Sequence, residues 1–93
     1  MVKKAVKFTI SGTVQGIFFR NFCKENADKL ALKGHVRNLE SGEVEVLVEG
    51  DKEKIEEMYK ILKQGPPHSQ IREIKPEEKK WTGEFAEFKI LRF

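Results

Sequence analysis

The sequence predicts an α+β domain, a mostly antiparallel sheet with two helices packed on one face. Three observations carry this reading. Short runs of alternating apolar and polar residues recur along the chain, as in half-buried strands. Two longer runs carry apolar residues at helical spacing. The two kinds follow one another in the order β-α-β-β-α-β-β, which two packed layers around one core satisfy.

The elements follow in order. Val6, Phe8 and Ile10 alternate with Lys7, Thr9 and Ser11, giving a first strand that Gly12 ends. A loop with a second glycine, Gly16, leads into a helix. Phe19, Phe22, Cys23, Ala27 and Leu30 form its inner stripe, with Lys24, Glu25, Asp28 and Lys29 outward. Gly34 closes that region, and a second strand runs from His35 to Leu39. Ser41-Gly42 makes a tight turn. Val44, Val46 and Val48 then define a third strand whose glutamates, Glu43, Glu45 and Glu49, are expected to form a solvated face. Asp51 is placed to cap a second helix with Ile55, Met58, Tyr59 and Leu62 as its stripe. Gly65-Pro66-Pro67 stops it. Ile71 and Ile74 mark a fourth strand, Pro76 to Gly83 reads as a polar loop, and Phe85 to Leu91 as a fifth strand. A ferredoxin-like split β-α-β sandwich with an extra C-terminal strand fits this order.

With 93 residues the chain has room for one core, so residues 1–93 are expected to form a single domain. Eighteen basic and 15 acidic residues are interspersed, with no basic arm or acidic tail. The net charge of +3 therefore argues weakly for any partner, although a small anion fits it. The one cysteine, Cys23, cannot form an internal disulfide, which favours a reducing compartment. No stretch is apolar enough to span a membrane, and no hydrophobic leader follows the basic N-terminus. The cytoplasm is the expected location.

Chemistry concentrates in Gly12-Thr13-Val14-Gln15-Gly16-Ile17-Phe18-Phe19-Arg20, which joins a strand to a helix start. Backbone N–H groups there lack internal acceptors, and the helix dipole favours negative charge. A glycine lets the backbone curl into a nest of donors. The Arg20 guanidinium can make paired bonds to a phosphate. A plain turn with Arg20 in a surface ion pair fits the spacing equally well. Two other phosphate chemistries are excluded. The Gly-Lys-Ser/Thr of a Walker A loop is missing, and the position six before Arg20, where cysteine phosphatases carry their nucleophile, is Val14. Cys23 has apolar neighbours and reads as buried packing.

These residues resemble the acylphosphatase family, whose loop signature is Gly-x-Val-Gln-Gly-Val-x-Phe-Arg; only Ile17 departs from it. A second signature, Gly-aromatic-Val-x-Asn, appears as Gly34-His35-Val36-Arg37-Asn38, with His35 in the aromatic place. The similarity extends from about Val6 to Ile90 and includes Glu49-Gly50-Asp51 and Gly65-Pro66-Pro67; Ala31 stands where a glycine is common. The resemblance implies hydrolysis of acyl phosphates to a carboxylate and inorganic phosphate. It assigns Arg20 and Asn38 as catalytic residues, the arginine holding phosphate and the asparagine orienting water. It assigns Gln15, Gly16, Ile17, Phe18, Phe19 and Arg20 as the phosphate cradle. It implies no metal and no organic cofactor. The partner is then a small acyl phosphate, with no nucleic acid and no membrane, and the chain is expected to act as a monomer.

Nothing in the sequence marks a pocket for the acyl group, so broad acceptance is expected. Phe18 is a candidate for the substrate entrance or for ordinary packing. His35 reads as a partly exposed strand residue, His68 as a loop residue without metal partners, and Trp81 as cover for a sheet edge. Two other functions fit the element order. An RNA-binding module would need aromatics on its third strand, and here that strand reads Glu43-Val44-Glu45-Val46-Leu47-Val48-Glu49. A non-catalytic acyl- or carbamoyl-phosphate-binding domain of a larger protein is the second; an end at Phe93 favours a free-standing enzyme.

Overall fold

The computed structural model describes residues 2–14 and 16–92. Within them the order is β1 (Lys3–Thr13), α1 (Ile17–Lys29), β2 (Lys33–Asn38), β3 (Val44–Asp51), α2 (Lys52–Gln64), β4 (Gln70–Lys79) and β5 (Phe88–Ile90). The strands form one sheet in the order β4-β1-β3-β2-β5. All neighbours are antiparallel except β2 and β5, which run parallel. Among the described residues, no helix is long and apolar enough to cross a membrane.

Both helices lie on the same side of the sheet and touch each other. Phe19, Cys23 and Ala27 face inward from α1, and Ile55, Met58 and Leu62 from α2. They meet Phe8 and Ile10 of β1, Val36 of β2, Val44, Val46 and Val48 of β3, and Phe88 of β5. At about 25 cal/mol per Å², burial of these side chains is the main force holding the layers together. Lys24, expected to point outward, instead donates from Nζ to the Phe88 carbonyl at 2.9 Å.

The other face departs from expectation. Glu45 and Glu49 are buried, not solvated. His35 Nε2 lies 2.9 Å from the Glu45 carboxylate, and Arg37 Nε donates to it at 3.0 Å. The Glu49 carboxylate accepts from the Thr82 amide at 3.0 Å, the Thr82 hydroxyl at 2.9 Å and the Gly83 amide at 2.9 Å. These bonds draw the segment between β4 and β5 across the outer face, where Phe85 meets the His35 ring edge-on at 6.2 Å. Buried carboxylates persist only with such donors. Burial alone would raise the Glu45 pKa, but the bonds and charges of His35 and Arg37 outweigh it and hold the group below its ordinary 4.5.

Several boundaries also move. The region from Pro76 to Lys79, read as loop, continues β4 along β1, with Pro76 opposite Phe8. An edge strand tolerates a residue without an N–H. β5 is only Phe88–Ile90, shorter than the Phe85-to-Leu91 run. Asp51 precedes α2 but makes no capping bond; its carboxylate lies 3.5 Å from Lys3 Nζ. Gly12 does not end β1. The register shifts between Ser11 and Gly12, and a Cβ at Gly12 would sit 2.0 Å from the Gln70 carbonyl oxygen. Only glycine permits that approach to β4.

Gly34 does not close α1 but lies within β2. The helix ends at Ala31, whose φ is +57°. Its amide donates to the Asp28 carbonyl at 3.1 Å, and the Leu32 amide donates to the Ala27 carbonyl at 2.8 Å. This pair of bonds is a Schellman motif, which favours glycine at the left-handed position. Ala31→Gly should therefore raise stability by about 0.5–1 kcal/mol in urea unfolding, since the relief of about 1–2 kcal/mol exceeds the added unfolded-state entropy. A loss of stability would contradict this.

A pH dependence follows from Glu45. Its folded pKa lies below the unfolded one, so its contribution is complete above about pH 4.5 and declines as pH falls through the folded value. Thermal unfolding of Glu45→Gln should depend less on pH below about 4.5 than that of the parent chain.

Candidate active site

The strand order brings two distant segments to one edge of the sheet. β3 is antiparallel to both β1 and β2, so β1 and β2 run in the same direction. Val44 pairs with Ile10 on one side and with Asn38 on the other. Ile10 and Asn38 therefore stand in one row, two strand spacings or about 10 Å apart. The loop that leaves β1 emerges just beyond that row.

The loop is fixed at both ends. Val14 is fully buried before it, and Phe19 is 3% exposed in the first turn of α1. Phe19 packs 6.1 Å from the Phe22 ring. Its side chain is thus committed to the core, and only its amide can serve a ligand. Gly16 occupies the N-cap with φ 107° and ψ 171°, a backbone region essentially closed to other residues. Among the described residues no side chain caps α1, and no acidic residue sits in its first turn. The N–H groups of Ile17 and Phe18 thus keep their capacity for an anion. Gln15, assigned to the cradle by resemblance, lies outside the described residues.

Arg20 lies one turn into α1. Its Nε donates to the Gly16 carbonyl at 3.3 Å, which folds the guanidinium back toward the loop. Among the described residues it makes no ion pair, so the surface salt bridge is not what holds it. Asn38 ends β2 on the same side of the strand as the buried Val36, beneath the helices. Its Oδ1 is buried and has no hydrogen-bond partner among the described residues. Leaving such an acceptor unpaired costs about 1–3 kcal/mol.

Other candidates separate from this edge. His35 and Arg37 point to the opposite face of β2, toward Glu45. Cys23 is fully buried, and burial pushes its thiol well above the usual range, so it supplies no thiolate. Among the described residues no group of three His, Cys, Asp or Glu side chains is arranged to hold a metal. Trp81 is half-exposed in the segment that crosses the outer face. Phe18 is 85% exposed and so is not a packing residue. It borders an open groove with Phe22 on one wall and Pro66, Pro67 and His68 on the other. No pattern in the sequence marks this groove. The Phe18–Phe22 spacing of one helical turn hinted at one wall, but the opposite wall comes from a distant connection.

The acylphosphatase family model matches residues 6–90. The chain belongs to the acylphosphatase family. An acylphosphatase from Dehalococcoides mccartyi is 41% identical over 86 residues, covering 91% of this chain and 94% of its own. The crystal structure of acylphosphatase from Bacillus subtilis superimposes with a TM-score of 0.90 at 31% identity, covering 96% of this chain and 99% of its own. Full-length HypF in its phosphate- and nucleotide-bound form is 38% identical, with a TM-score of 0.88, over 98% of this chain but 12% of that protein. The ferredoxin-like α+β fold of acylphosphatases is thus the fold of this chain. Family membership makes it a hydrolase that acts on the acid anhydride of acyl phosphates. The family match does not favour the alternative of a non-catalytic acyl- or carbamoyl-phosphate-binding domain.

The N-cap geometry generates a direct test. Gly16→Ala forces a side chain into a conformation that costs about 1–3 kcal/mol. Because no described heavy atom beyond its chain neighbours lies within 4 Å of the new Cβ, the loop should respond by changing shape, not by clashing. Inhibition by inorganic phosphate should weaken about tenfold, while the urea midpoint moves little. Unchanged phosphate inhibition would show that this backbone geometry is not needed.

Proposed function

We propose that hydrolysis proceeds by direct attack of water on the phosphoryl group, held by the amides of Gln15 to Phe19 and by Arg20, with Asn38 orienting the water. The unpaired Oδ1 of Asn38, on the same sheet edge as an uncapped helix start, carries this reading. The Oδ1 accepts one hydrogen of the water and points its oxygen toward phosphorus. The new O–P bond forms as the bond from phosphorus to the acyl oxygen breaks. The carboxylate leaves with the electron pair, and as a weak base it needs no proton. The water's proton passes to a phosphoryl oxygen, since Asn38 is not a base. Charge on the transferring group is the remaining problem, and fixed donors address it. Arg20 and the amides fill that role, so the reaction is assigned no metal or organic cofactor.

The same reading treats residues 1–93 as one catalytic domain, a monomer working in the cytoplasm on a small acyl phosphate. Nucleic acid is not a partner. The sheet face an RNA module would read carries Glu45 and Glu49 here, and the segment around Thr82 and Gly83 crosses it.

Hydrolysis of acetyl phosphate in EDTA tests the scheme. Turnover should survive EDTA. Arg20→Lys should lose about 10²–10³ in kcat, because a point charge does not reproduce the paired bonds. Asn38→Ala should lower kcat about 10²-fold while leaving phosphate inhibition within a few-fold of the parent. If Asn38→Ala instead loses phosphate inhibition and keeps kcat, Asn38 binds phosphate and does not orient water.

A further inference from the structure

The groove beside the loop has no role in the scheme above, and the acyl half of the substrate has no place in it. We propose that this groove is the acyl subsite and that it selects flat, apolar acyl groups; the assignment rests on the phosphoryl site proposed above.

Phe18 connects the two. Its amide belongs to the uncapped first turn of α1, and its ring forms part of the groove wall. In a helix the Cα–Cβ bond tilts toward the N-terminus, so a side chain at the second helical position leans over the free N–H groups. A phosphoryl group on those amides thus holds its acyl carbon beside the Phe18 ring. An 85% exposed phenylalanine at this position is costly to leave in water, and an apolar acyl group would cover it. Thr13, the last residue of β1, also borders the groove, so one wall is continuous with the start of the loop.

The opposite wall is rigid. α2 ends at Gln64, and Pro66 and Pro67 begin the connection to β4. The Pro66 carbonyl accepts from the Ser69 hydroxyl at 2.6 Å and the Ser69 amide at 3.2 Å, which closes the connection into a tight turn. Proline rings facing phenylalanine rings make a slot for a planar group without ordering flexible side chains on binding. The groove volume is about 610 Å³, within the roughly 300–1,000 Å³ usual for small-molecule sites. Glu25 is also on the lining, one turn beyond Phe22. Its carboxylate disfavours acyl groups that carry a second negative charge.

The test compares benzoyl phosphate with acetyl phosphate on the same enzyme. Both use the same cradle, so the ratio of their kcat/KM values isolates the acyl group. The ratio should favour benzoyl phosphate at least tenfold in the parent chain. Phe18→Ala should reduce it about tenfold, chiefly through KM for benzoyl phosphate. Pro67→Glu, on the opposite wall and outside the cradle, should reduce it similarly. Circular dichroism of both variants checks that they fold. A ratio near one in the parent, or one that neither substitution changes, overturns the subsite. A ratio that rises or falls with enzyme concentration assigns the groove to a second copy of the chain and also overturns it. Failure of the parent chain to hydrolyse either substrate is a different result, and it removes the phosphoryl site on which the subsite rests.

Discussion

Val14 and Phe19 are both sunk in the core, and the chain must turn from β1 into α1 between them. That constraint governs the site. With the two ends fixed, the turn rests on Gly16, whose positive φ leads the chain into α1. The helix start is then aimed by packing, not by a cap. A serine or aspartate cap would have satisfied the first amides and stabilised the helix by about 1 kcal/mol. Its absence leaves those amides available, and core packing around Phe19, Cys23 and Ala27 holds the helix in place instead.

A similar exchange occurs on β2. Asn38 leaves a buried acceptor unpaired, while three residues earlier His35 joins a fully bonded cluster with Glu45 and Arg37. The strand alternation separates these roles. The face toward the helices carries Val36 and Asn38, and the opposite face carries the charged residues. Polar side chains so close in sequence therefore do not compete for one another, and the buried Asn38 Oδ1 keeps no partner among the described residues. Glu49 extends the bonded face by fastening the segment between β4 and β5 over the sheet.

Much of this was legible in the sequence. Both helices, the three inner strands and the loop were marked by periodicity and glycines, because their side chains divide between core and water. β4 was only half visible. From Pro76 to Lys79 it is a charged edge strand with every side chain exposed, so backbone pairing alone makes it a strand and no apolar alternation records it. The burial of Glu45 and Glu49 was invisible for a related reason. A covered outer face depends on where a distant loop settles, and Glu49 beside Val48 looks the same whether water or Thr82 meets it. Arg20 and the loop were prominent, whereas Asn38 stood out only through family resemblance. The Phe18 groove needed the α2–β4 connection brought across, which no local pattern encodes.

The sheet order has a consequence for how the chain reaches this state. β1 lies between β3 and β4, and α1 and β2 intervene before β3, so neither of its pairings is a hairpin. Only β2 and β3 can zip locally through the turn at Ser41 and Gly42. β1 must wait for long loops to close, a topology that folds slowly for its size. During that interval β1 and β3 expose apolar edges that could pair between molecules. The dense charge of β4 and the missing amide at Pro76 make this edge strand a poor template for such pairing. The edge that carries no part of the active site thus serves the chain before the site exists.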